Sequence, residues 1–112
     1  DKPKENVISI CSWNIAGLAG KRSDPGWTTS LRTCDIICMQ ETWDTGSDFF
    51  LEGYMSFSIP ATRSLAGRAK GGLLTLVSVS LPCKYETLAS GSPQFGVVLL
   101  IFAHTKLLLV NI

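Results

Sequence analysis

Two short β-rich runs flank a single helix start, and each run delivers a polar residue, Asn14 or Glu41, at its carboxyl end. The first, Asn6 to Trp13, carries Val7, Ile8, Ile10 and Trp13 and reads as a strand. The second, Asp35 to Gln40, is a compact apolar run. Between them, Asn14 to Ser23 contains Gly17 and Gly20 and reads as a loop. Asp24-Pro25 then supplies an N-cap acid followed by proline at the first helical position. Trp27, Leu31 and Cys34 fall near helical spacing, which predicts a short helix to about Thr33. Strand, helix and strand in so few residues predict a crossover between parallel neighbours. Sheets of this kind bind ligands outside the carboxyl ends of their strands. Asn14 and Glu41, which end the two runs, are therefore expected side by side.

The rest of the chain is read as β. Tyr54 to Ile59 alternates as a half-buried strand does, and Ala61 to Gly71 is a polar loop. Gly72 to Ser80 is a third main strand, and Cys83 to Leu88 is a weaker one. Gln94 to Ala103 and Lys106 to Ile112 form a last pair, joined by a turn at His104-Thr105-Lys106. That turn has no Asn-Gly or Asp-Gly, so nothing in it sets the register. Asp1 to Glu5 is polar, carries Pro3 and reads as a frayed lead-in.

Length and composition bound the answer. The chain has 112 residues, enough for one small domain. Apolar residues reach 46%, an excess that strands buried on both faces would produce. The net charge of +1 gives no global basic field. The distribution says more. Glu41, Asp44, Asp48 and Glu52 form an acidic stretch, followed by a basic one at Arg63, Arg68 and Lys70. An acidic pocket beside a basic rim suits a divalent cation and a phosphate, although solvated loops carry the same charges.

Cys11, Cys34 and Cys38 lie in apolar runs, where a thiol acts as a small hydrophobe. No cysteine pair has zinc-knuckle or redox-motif spacing. Reduced core cysteines and a cytoplasmic or nuclear, not secreted, protein are expected. The longest strongly apolar run, Phe95 to Ala103, is too short to cross a bilayer, and no signal peptide opens the chain. The chain begins at Asp1 and ends in an apolar run, so an excerpt of something longer is expected.

The chemistry at the two strand ends is specific. A carboxylate such as Glu41 is a hard oxygen ligand for Mg²⁺, which takes one or two carboxylates and keeps several waters. The Asn14 amide can donate to a phosphate oxygen, or accept from a metal-bound water, without adding charge. Two decoys fail. Gly17 to Ser23 is not a phosphate loop, because Ile15 and Arg22 occupy positions that a P-loop gives to glycine and Ser/Thr. His104, the only histidine, lies far along the chain from Glu41 and reads as an exposed turn residue.

The segments Trp13-Asn14-Ile15-Ala16-Gly17-Leu18 and Asp35 to Trp43, with Gln40-Glu41-Thr42-Trp43 the most specific part, resemble the start of the endonuclease/exonuclease/phosphatase superfamily. Gly53-Tyr54, Lys70-Gly71-Gly72 with Leu73 to Leu76, and Leu107 to Ile112 agree with later landmarks of that family in order. The variant looks most like endonuclease domains of non-LTR retrotransposons. The resemblance implies an α/β fold, the N-terminal half of a two-sheet DNase I-like α/β sandwich, with residues 1–112 a partial domain. It implies a Mg²⁺ (or Mn²⁺) phosphodiesterase acting on nucleic acid, DNA above all. Glu41 and Asn14 would be its metal and catalytic residues, with Gln40 in support. Arg63, Arg68 and Lys70 are candidate phosphate contacts.

The family's tyrosine, Asp-x-Asn and Asp-His landmarks have no counterpart in the chain, so the expected partner is the missing C-terminal half of the domain, and the chain alone is expected to be inactive. Half a sandwich is expected to leave an apolar sheet face uncovered and strand edges unpaired, and so to be marginal or aggregation-prone. Two alternatives stay open. One is a non-catalytic remnant that binds neither metal nor nucleic acid. The other is a lipid or inositol phosphate phosphodiesterase or phosphatase of the same superfamily.

Overall fold

A computed structural model describes residues 7–46, 48–65 and 67–112. The lead-in Asp1 to Glu5 and the first residue of the Asn6 to Trp13 strand lie outside the described residues. In chain order the elements are β1 (Ile10–Asn14), α1 (Pro25–Leu31), β2 (Ile36–Gln40), β3 (Tyr54–Ile59), β4 (Thr62–Arg63), β5 (Ala69–Lys70), β6 (Leu73–Ser78), β7 (Lys84–Leu88), β8 (Gly96–Ile101) and β9 (Lys106–Asn111). They form a four-stranded sheet ordered β1-β2-β6-β3, a three-stranded sheet ordered β7-β8-β9, and a small β4-β5 hairpin.

The strand–helix–strand reading holds. β1 and β2 pair in parallel, with Asn14 opposite Gln40. α1 starts where Asp24 accepts from the Gly26 amide at 2.9 Å, with Pro25 at the first helical position. It stops at Leu31, short of the expected Thr33. Serine and threonine hydroxyls turn back onto its carbonyls, Thr28 onto Pro25, Ser30 onto Gly26 and Thr33 onto Ser30. Such back-bonding competes with the helix rather than extending it.

β6 runs antiparallel to both β2 and β3, so Gln40, Leu73 and Ile59 meet at one end of the sheet. The polar loop between β3 and β6 therefore rises from that end, and part of it pairs as β4-β5.

Alternation divides the core in two. Ile37, Met39, Leu74 and Leu76 face α1 and the loops beside it, packing with Ile15, Leu18, Trp27, Leu31, Phe49 and Leu51. Ile36, Cys38 and Val77 face the second sheet and meet Val98, Leu100 and Leu109. The central strands β2 and β6 are thus covered on both faces, in keeping with their runs of fully buried residues, while the edge strands β1 and β3 stay exposed or half-buried. The outer face of the second sheet is also uncovered, with Leu88, Leu108 and Val110 exposed there.

One expectation is corrected. Cys11 and Cys34 are joined as a disulfide, with Cα atoms 6.4 Å apart, while Cys38 and Cys83 are free. The parallel crossover is the cause. Cys11 turns to the helix side of β1, and the chain leaving α1 returns beside it before entering β2. The local apolar setting of each cysteine did not reveal that they meet.

Candidate functional site

The site is built at the carboxyl ends of β1 and β2. The backbone interlocks there: the Ile15 amide donates to the Gln40 carbonyl, Gly17 to Glu41 and Leu18 to Thr42. Thr42 and Trp43 in turn donate to Gly72 and Gly71 at the start of β6. Ala16, Glu41 and Trp43 hold φ of 50°, 55° and 55°, and they are the non-glycine residues with positive φ among those described. Left-handed backbone is costly for residues with a Cβ, and such residues concentrate at functional sites. All three fall at this one end.

Asn14 is exposed, and its side-chain oxygen accepts from the Ala16 amide at 3.3 Å. Its amide nitrogen makes no hydrogen bond among the described residues and is available as a donor. Glu41 is half-buried, and its Oε1 accepts from the Trp43 indole at 2.9 Å. Gln40, one position earlier, donates to the Ser12 hydroxyl at 3.1 Å and to the Asn111 oxygen at 2.8 Å.

Asn111 was missed as a sequence candidate. It is 2% exposed, and its amide nitrogen donates to the carbonyls of Met39 and Leu74 and to the Thr75 hydroxyl. A buried amide with this many partners pins the second sheet to the strand end behind Glu41. An asparagine in an apolar run gave no local signal of that role.

The charged residues sort differently from the charge pattern. Asp44 accepts from the Gly46 amide, and Asp48 pairs with Arg22 at 3.3 Å. Asp44 and Asp48 are thus engaged with partners of their own. No cluster of three or more His, Cys, Asp or Glu residues suited to a metal occurs among the described residues. What the strand ends offer is one carboxylate and one amide. Mg²⁺ is commonly held by one or two carboxylates with the balance as water, so this donor set fits a partly hydrated hard cation and does not amount to a full cage.

Arg63 and Lys70 lie on the β4-β5 hairpin and Arg68 in its turn, all exposed. The hairpin is tied to the site loop where the Ala61 amide donates to the Asp44 carbonyl at 2.8 Å. The structure thus brings the basic residues to the same sheet end as Asn14 and Glu41.

His104 is exposed in the β8–β9 turn. It stands seven residues along β9 from Asn111, roughly 20 Å of strand from the site end. Lys21, from the rejected phosphate loop, donates to the Ile15 carbonyl at 2.8 Å. Burial pushes the Cys38 thiol up, which keeps it protonated and poorly nucleophilic.

No protein-family model matches the chain, and no curated protein matches it. Among solved structures the chain is similar to the AP endonuclease LMAP from Leishmania major, at 18% sequence identity and a TM-score of 0.70. The match covers 93% of this chain and 39% of that one. The fold is therefore the mixed α/β, DNase I-like one, and the chain spans well under half the length of that structure. No helix among the described residues is long and apolar enough to cross a membrane.

Proposed function

We propose that the chain is part of a divalent-metal-dependent phosphodiesterase domain of the endonuclease/exonuclease/phosphatase type, acting on the backbone of nucleic acid. The observation that carries this reading is the parallel register of β1 and β2, which brings Asn14 and Glu41 to one strained strand end beside an exposed basic hairpin. The Trp13 to Leu18 and Gln40 to Trp43 motifs favour a retrotransposon-type endonuclease as the parent. The basic hairpin favours a polyanionic chain over a single lipid or inositol phosphate.

A bound Mg²⁺ or Mn²⁺ would supply positive charge to a phosphoryl oxygen. Glu41 would hold that ion through its free carboxylate oxygen. Asn14 would donate its amide hydrogens to a phosphate oxygen, leaving the local charge unchanged. Arg63, Arg68 and Lys70 would contact the flanking backbone and set position rather than sequence. Hydrolysis also needs a group to activate water and one to stabilise the leaving oxygen. Neither Asn14 nor Glu41 is free for those tasks, and His104 is out of reach. On this reading residues 1–112 carry half of a site and are inactive alone.

The modest donor set also favours a second reading, a remnant that binds no metal. Titration with Mg²⁺ or Mn²⁺, followed by tryptophan fluorescence, separates the two. Saturable quenching that Glu41→Ala abolishes supports the half-site. A flat response in the unaltered chain supports the remnant.

A further inference from the structure

We infer that Trp43 is a positioning residue that makes Glu41 a one-oxygen ligand and so selects Mg²⁺ and Mn²⁺ over Ca²⁺. This rests on the reading of Glu41 as a metal ligand. The Trp43 indole is 48% exposed, an unfavourable place for so large an apolar ring. Yet it is held from several sides. Its backbone amide donates to the Gly71 carbonyl at 2.9 Å. Its own φ is 55°. Its ring lies over Gly17, where an added Cβ would come within 3.0 Å of the Cε3 atom. Its Nε1–H donates to Glu41 Oε1 at 2.9 Å. Together these constraints aim one neutral donor at one carboxylate oxygen.

The choice of donor matters. A lysine or arginine here would neutralise Glu41 and compete with a cation, whereas an indole N–H orients the carboxylate and leaves its charge available. With one lone pair of Oε1 taken by the indole, Oε2 is the oxygen fully open to a cation, and a grip through both oxygens is disfavoured. Mg²⁺ accepts a single carboxylate oxygen and completes its octahedron with water, while Ca²⁺ takes more ligands and often grips both oxygens. Removing the indole N–H frees the second oxygen and lets the carboxylate turn. Hydrogen-bond partners behind a metal ligand commonly set affinity by about tenfold or more.

The test is Mn²⁺ binding to the full chain by electron paramagnetic resonance, with Mg²⁺ and Ca²⁺ as competitors. Trp43→Phe keeps a ring over Gly17 and deletes the N–H. Replacement of Trp43 by β-(3-benzothienyl)alanine keeps the bicyclic shape, so the answer does not depend on how well the phenylalanine variant folds. In both, Mn²⁺ affinity is expected to fall by about tenfold, and Ca²⁺ is expected to gain on Mg²⁺ as a competitor, with the melting temperature little changed. Unaltered affinity and an unaltered Mg²⁺-to-Ca²⁺ order in both variants overturn the inference while leaving the metal site standing. If the unaltered chain binds no Mn²⁺, or Glu41→Ala binds it equally well, the reading of Glu41 falls and this inference falls with it.

Discussion

At the scale of single residues, the site end depends on positions where a side chain has almost no freedom. Gly17 has φ +106° and lies under the Trp43 ring. Gly17→Ala is expected to cost about 1–3 kcal/mol through backbone strain and to shift the tryptophan emission by lifting Trp43, both readable in urea unfolding followed by fluorescence. Gly72 is tighter: at φ +94°, an added Cβ would fall onto the Thr42 hydroxyl. Asn111→Leu keeps the volume but strips the partners from Gln40 and from two buried carbonyls. Its expected cost is on the order of 3 kcal/mol in the same assay; a loss within about 0.5 kcal/mol, typical of an unconstrained surface position, would show that the amide pins nothing. The position of Asn14 and Glu41 at the ends of β1 and β2 was legible in the sequence because each follows an apolar run. Asn111 was not, since its partner Gln40 lies 71 residues away, and the Trp43 motif did not show that its indole would meet Glu41 two residues back.

At the scale of elements, the strands were readable to within a few residues because alternation and burial leave a period in the sequence. Tyr54–Ile59 matches its expected bounds. The last hairpin has its register set by the apolar rows, Leu100 opposite Leu107 and Val98 opposite Leu109, rather than by a turn motif. Helix α1 ends at Leu31, two residues before the expected Thr33, and i→i+3 bonds from Arg32, Thr33 and Cys34 carry its last turn onward in tightened form. The Cys11–Cys34 bond was misread because a disulfide is a property of the crossover and not of either segment. It closes a loop that contains Asn14 and α1. In oxidised protein Cys11→Ser is expected to cost about 3 kcal/mol by the loop-entropy argument, measured by chemical denaturation. Alkylation after unfolding without reductant is expected to label Cys38 and Cys83 alone; labelling of all four cysteines would contradict the bond.

At the scale of the whole molecule, one sheet has its central strands covered on both faces, while the other leaves an outer face open. Leu108 and Val110 are 54% and 48% exposed on the outer face of the second sheet, opposite Leu99 and Val97. Leu108→Lys is expected to change stability by less than about 0.5 kcal/mol while lowering binding of a hydrophobic dye and the tendency to aggregate. A clear loss of stability would mean that this face is packed in solution. The same architecture sets the central claim, because the sheet built around the buried strands β2 and β6 is the one that carries Asn14, Glu41 and the basic hairpin to a common end. The most direct test is Mn²⁺ titration of the ¹⁵N-labelled chain followed by amide line broadening. The account expects the amides of Asn14 to Ala16 and of Glu41 to Trp43 to broaden first, and expects Glu41→Ala to remove the effect. Broadening centred on Asp44 and Asp48, or spread evenly over the acidic surface, would contradict it.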